Sequence, residues 1–125
     1  PAPWQIQRTA AYFRARGHAD ALIRRMGTEF HARRLAMEEA FAQHGLTVAG
    51  QGAFGGSSFW MRAPTQVDTE KVAERLRNKG VLIEPGRPFF TQKNAPKNYY
   101  RLAYSSLPVR KIAEGVALIA SEMHP

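Results

Sequence analysis

No cysteine occurs among the 125 residues, which excludes disulfide staples, thiol catalysis and thiolate metal sites together. That absence fits a reducing compartment. No apolar run approaches the roughly 20 residues that span a bilayer, and the first residues lack the basic-then-apolar pattern of a secretory leader. The expectation is a soluble, cytoplasmic protein with no membrane partner. Internal repeats, low-complexity tracts and linkers are also missing. What is present is an apolar fraction of 44%, enough to build a core for one compact domain over residues 1–125.

Acid is scarce: 10 Asp and Glu stand against 18 Lys and Arg, for a net charge of +8. Such an excess would steer the chain toward polyanions if it formed a patch, and an independent basic nucleic-acid-binding domain is one reading. The spacing argues against it. In the helix expected near residues 20–44, Arg24/Arg25 and Arg33/Arg34 lie nine apart. At about 100° per residue the two pairs fall on opposite sides. Lys71, Arg75, Arg77, Lys79, Lys93 and Lys97 sit at expected exposed helix and loop positions.

Pro1, Pro3 and Gly17 bracket an expected first short helix with Trp4, Ile6, Tyr12 and Phe13. Asp20 is placed to cap the next helix, along which Ile23, Met26, Phe30, Met37 and Phe41 recur at helical spacing until Gly45. Arg34 shares that stripe, as a snorkelling side chain or as a contact with another chain or domain. Strands are expected at 46–49 and 57–62, paired as a hairpin across the glycine turn 50–56. Asp68, Thr69 and Glu70 load the front of a helix that Gly80 stops. A strand at 81–84, an exposed loop at 91–98 and a strand at 99–104 follow. The last helix, from about Pro108, carries Ile112, Val116, Ile119 and Met123 on one face. This order indicates an α+β fold of two layers, with a small mixed or antiparallel sheet and helices mainly on one face.

Most motif-like features fail on context. Residues 50–55 match G-x-G-x-x-G, but a strand follows them where a phosphate site needs a helix N-terminus. His18, His31, His44 and His124 have no spacing that joins two on one turn or strand face, so no metal site is expected. Ser57, Ser58, Ser105 and Ser106 lack a nucleophile-elbow sequence, and Glu38/Glu39 read as solvated surface, so no catalytic residue is assigned.

Arg101 differs. Strand alternation puts it with Tyr99 and Ala103 on one face and Tyr100, Leu102 and Tyr104 on the other. A planar fork of donors beside an aromatic and a small residue suits two-pronged capture of a carboxylate. Exposure at the strand surface, or a pairing with a structural acid such as Glu84, accounts for the same position equally well.

Residues 80–108 and the helix to Met123 resemble the C-terminal small domain of fold-type I pyridoxal-phosphate aminotransferases. GVLIEPGRPFF is similar to its strand and turn, NYYRLAYSSLP to its arginine strand and VRKIAEGVALIASEM to its closing helix. HADALIRRMGTEFHARRLAMEEAF and GGSSFWMRAP resemble its long entry helix and hairpin, so the likeness covers nearly the whole chain. The RGHADALIRRM opening and the spacing of EPGRPFF to YYRLAYSSLP are most like the MocR branch of GntR-type regulators. Those proteins fuse a winged helix-turn-helix DNA-binding domain to an aminotransferase-like effector domain.

The resemblance implies that Arg101 grips the carboxylate of an amino-acid-like substrate or effector. The Schiff-base lysine, the aspartate facing the pyridine nitrogen and the phosphate-binding residues belong to the family's large domain, and no part of this chain matches them. Lys71, Lys79, Lys93, Lys97 and Lys111 all lie in segments that match other elements. The implied molecule is a fragment of a longer parent, not a complete catalyst. Pyridoxal 5'-phosphate is expected in the full-length parent and no cofactor in the isolated domain. The implied partners are the parent's large domain, a small-molecule ligand and DNA, the last through a separate N-terminal domain, in a parent homodimer. The alternative is the small domain of a true aminotransferase, where Arg101 would orient an amino acid for proton transfer at its α-carbon.

Overall fold

The computed structural model describes residues 3–51 and 58–124, with side chains described for 15–50 and 58–124. The chain forms two compact units, Pro1–Ala32 and Arg33–Pro125. One helix, α1, runs over Pro3–His44 where two were expected. Gly17 does not break it, and Asp20 lies inside it instead of capping a new start. A single glycine costs a helix only about 1 kcal/mol, and the neighbouring alanines, arginines, leucine and methionine are strong helix formers. Pro3 opens the helix, where its missing N–H costs nothing. The side chains of Trp4, Ile6, Tyr12 and Phe13 lie outside the described ones.

In the first unit Ile23, Met26 and Phe30 are exposed, so the expected apolar stripe reaches the core only at Met37 and Phe41, in the second unit. The second unit holds the sheet: β1 (Thr47–Gln51), β2 (Ser58–Arg62), β3 (Glu84–Pro85) and β4 (Tyr99–Ala103), in the order β1-β2-β4-β3. Every pairing is antiparallel. The core packs Met37 and Phe41 of α1, Val72 and Leu76 of α2 (Thr69–Asn78), and Val116 and Ile119 of α3 (Ile112–Met123) with Phe59, Met61, Tyr100 and Leu102 of the sheet. The expected hairpin of β1 and β2 forms, with a bulge between Val48 and Gly50, while residues 52–57 of its turn lie outside the described residues.

Two helix exits show why glycine was a sound stop signal. Gly45 and Gly80 have φ of 70° and 84°, the left-handed conformation that glycine adopts without a side-chain penalty. After α2, the Val81 N–H donates to the Leu76 carbonyl at 2.9 Å and the Gly80 N–H to that of Arg77 at 3.1 Å. This closure corrects the strand expected at 81–84. Val81 and Ile83 are buried as a strand face would be, but the Val81 amide is committed to α2, and only Glu84 and Pro85 join the sheet.

The start of α2 aligns β4. Asp68 accepts from the Glu70 N–H at 3.1 Å as the cap. The buried Thr69 hydroxyl lies 2.8 Å from the Tyr99 carbonyl and 3.0 Å from that of Lys97. Asn98, also buried, donates from Nδ2 to the Ala63 carbonyl and accepts the Ala63 N–H at its own carbonyl, both at 2.7 Å.

Glu122 ties α3 to α2, with Oε2 2.7 Å from Arg75 Nε and Oε1 2.8 Å from Lys79 Nζ. Those hydrogen bonds, Lys79 first and Arg75 second, hold its carboxyl below the usual glutamate range. The folded state therefore binds the Glu122 proton less readily than the unfolded chain does. The resulting stabilisation is present above the ordinary glutamate range and is lost as pH falls through the lowered value. Both cations are about half exposed, so each pair contributes about 1 kcal/mol at most. Glu122→Gln is expected to lower the melting temperature slightly at pH 7 and to flatten its decline below the carboxylate range, as read by thermal melts across pH. An unchanged acid limb would count against the clamp.

Candidate functional site

The two-residue period of β4 sends Tyr100 and Leu102 fully into the core and leaves Tyr99, Arg101 and Ala103 on the opposite face, half-buried, as the alternation indicated. Burial pushes the Tyr100 phenol well above its usual range, so it stays protonated inside. Arg101 stands directly opposite Trp60 on β2 and Glu84 on β3, so the three residues form a row across the sheet. Its Nη2 donates to Glu84 Oε1 at 2.6 Å. The arginine side chain is 26% exposed and that of Glu84 52%. The pairing with Glu84 weighed from the sequence is therefore present, at a position still open to solvent.

An aromatic group not foreseen in the sequence borders this row. The Trp60 ring stacks on Tyr99 at 5.4 Å and 20°. Phe90 lies 5.7 Å from Trp60 and 5.5 Å from Tyr99, and Phe89 meets Trp60 edge-on at 5.9 Å. The Phe89 ring also receives the Arg101 guanidinium over its face, 5.9 Å from the centroid, within cation–π reach. Phe89 closes a 3-10 turn, Arg87–Phe89, that begins straight after Gly86, and Phe90 follows as its extended cap. The signal was faint in sequence, because the Trp60 of β2 and the paired phenylalanines meet only through strand register.

Gly86 makes that approach possible. Its N–H donates to the Tyr99 carbonyl at 2.8 Å, and a Cβ there would lie 2.7 Å from the Trp60 ring and 2.8 Å from the Tyr99 carbonyl oxygen. A permanently charged fork of donors is thus set against the Phe89 ring, beside the other rings of the group. Anchoring a planar anion is the chemistry this arrangement serves best.

The other residues singled out from the sequence lie elsewhere. Arg34 donates from Nε to Glu38 Oε1 at 2.9 Å, an i,i+4 pair on its own helix that keeps the guanidinium charged. Most of the G-x-G-x-x-G tract and Ser57 lie outside the described residues. Among the described residues, no three His, Asp or Glu side chains come together where they could hold a metal, and no helix is long and apolar enough to cross a membrane.

No family model matches the chain. It is 56% identical over 118 residues to the HTH-type transcriptional regulator TauR of Rhodobacter capsulatus, a match that covers 94% of this chain and 24% of that regulator. Its structure is similar to the multiple substrate aminotransferase of Thermococcus profundus, with a TM-score of 0.67 and 30% identity over 87% of this chain and 27% of that one. It is also similar to the kynurenine aminotransferase of Pyrococcus horikoshii, with a TM-score of 0.63 and 31% identity over 75% and 23% of the two chains. The chain spans about a quarter of the length of the proteins it matches. With the antiparallel sheet and its helix layer, these likenesses identify the chain as an aminotransferase-like small domain of the α+β type, of a kind found in a transcriptional regulator and in aminotransferases.

Proposed function

We propose that this single domain is the C-terminal small domain of a cytoplasmic, homodimeric MocR-type regulator of the GntR family, and that Arg101 receives the carboxylate of an amino-acid-like effector. The observation that carries the reading is Arg101 on the non-core face of β4, in register between Trp60 and Glu84, with its guanidinium against the Phe89 ring. The 56% identity to a regulator across 94% of the chain favours this parent over an aminotransferase. The structural neighbours support the second reading, in which the same arginine orients an amino-acid substrate.

Two cavities among the described residues do not fit pyridoxal phosphate. A cavity of about 40 Å³ has Lys97 beside Asp68, Thr69, Glu70 and Arg87, too small for a phosphorylated ring. A second, of about 180 Å³ between Leu46, Arg62, Pro64 and His124, has no lysine. The cofactor's contacts belong to the large domain of the parent, and DNA binding to a separate N-terminal domain. This chain's part is to hold and orient the carboxylate end of the ligand. Domain position then shifts toward whichever arrangement the ligand binds better.

The test is Arg101→Lys in the full-length protein, against an effector found by screening amino acids for a rise in melting temperature. Lysine keeps the charge and loses the two-pronged geometry. Ligand binding is expected to weaken by about 1–3 kcal/mol while the fold stays intact. Unchanged affinity would return Arg101 to a purely structural role.

A further inference from the structure

We infer that Glu84 occupies the carboxylate seat of Arg101 when no ligand is bound and competes with the ligand for it, so that this residue tunes the affinity of the site. The inference rests on the reading of Arg101 as the ligand's anchor.

Strand register and the turn after Gly86 give Arg101 three neighbours. Trp60 stands across from it on β2, the Phe89 ring lies over its face and Glu84 stands across from it on β3. Of these, only the Glu84 side presents oxygen chemistry. The group there is the same functional group that the ligand would bring. Its Oε1 lies 2.6 Å from Nη2, the distance of a strong charge-assisted hydrogen bond. A ligand carboxylate that approaches the donors on this side meets Glu84 in place.

The pair is suited to exchange. Glu84 belongs to a two-residue strand at the edge of the sheet, and its side chain is twice as exposed as that of Arg101. Its carboxylate can turn into water with little loss of solvation, and exposed ion pairs contribute only about 0.2–1 kcal/mol. A ligand held by both oxygens, with further contacts beyond the carboxylate, exceeds that hold. Until then Glu84 keeps the buried part of the arginine in register and its charge balanced.

The experiment measures propionate binding to the full-length protein by isothermal titration. Propionate carries a carboxylate and no amine, so it reports on the seat without reacting with an aldehyde cofactor. Glu84→Gln is expected to tighten propionate by about two- to fivefold, and Arg101→Gln to abolish binding. Measurable binding by Glu84→Gln where the wild type shows none supports the inference equally. Unchanged or weaker binding by Glu84→Gln, with Arg101→Gln still inactive, overturns the competition and leaves Arg101 as the anchor. Binding that survives Arg101→Gln, or binding by neither the wild type nor Glu84→Gln, overturns both readings.

Discussion

Phe59→Ala is expected to remove about 3–5 kcal/mol of stability, the range for deleting a buried aromatic ring. Phe59 is fully buried in β2, edge-on to Phe41 at 5.0 Å and tilted against Tyr104 at 4.6 Å. It joins the long helix, the sheet and the turn after β4 at one point. The surrounding rings sit on separate elements and cannot all collapse into the space it leaves. Marginal domains hold only about 5–15 kcal/mol, so the variant would be close to unfolding at physiological temperature. Urea denaturation should show a lower midpoint with an unchanged slope. A loss below about 1.5 kcal/mol would mean that the core closes around the gap, against the reading of Phe59 as its junction.

Gly86→Ala is expected to cost about 3 kcal/mol, the upper end for inserting a methyl group into a packed site. The backbone there has an ordinary φ of −80°, so the cost does not come from conformation. It comes from two obstacles at once, the Trp60 ring and the Tyr99 carbonyl. The ring can move by a rotamer change, but the carbonyl is part of β4 and already accepts the Gly86 N–H. Relief therefore requires β3 to part from β4. Because Glu84 and the Phe89 turn flank Gly86, the variant should also disturb the surroundings of Arg101. Tryptophan fluorescence would report the displaced Trp60. Retained stability with an unchanged emission maximum would show that β3 has slack that the structure does not suggest.

Where local pattern decided the outcome, the sequence was readable. The alternation of residues 99–104, the acidic start of α2 and the glycine stops each rest on interactions within a few residues. The reading broke down where one group had two possible uses. Gly17 has the composition of a boundary, yet its helix-forming neighbours outweigh one glycine and α1 runs through it. Val81 and Ile83 look like a strand face, yet the Val81 amide closes α2. In the site, Arg101 and its Glu84 partner were visible as possibilities. The rings of Trp60, Phe89 and Phe90 were not, since only the pairing of β2 with β4 and the turn after Gly86 bring them to the same face.

The anchoring of Asn98 against Ala63 divides the polypeptide into a tolerant and an intolerant stretch. Length changes within residues 91–94 fall in an exposed connection. One residue added between Asn98 and Arg101 reverses the direction of every side chain beyond it, turning the guanidinium toward Phe59 and Met61 and Leu102 toward solvent. A guanidinium has no neutral form in which to survive there. The phase of this one strand is thus policed by the core itself: a sequence that loses the anchor's orientation also loses the fold, so a folded relative that aligns without gaps from Asn98 onward presents its residue at this position to the same side.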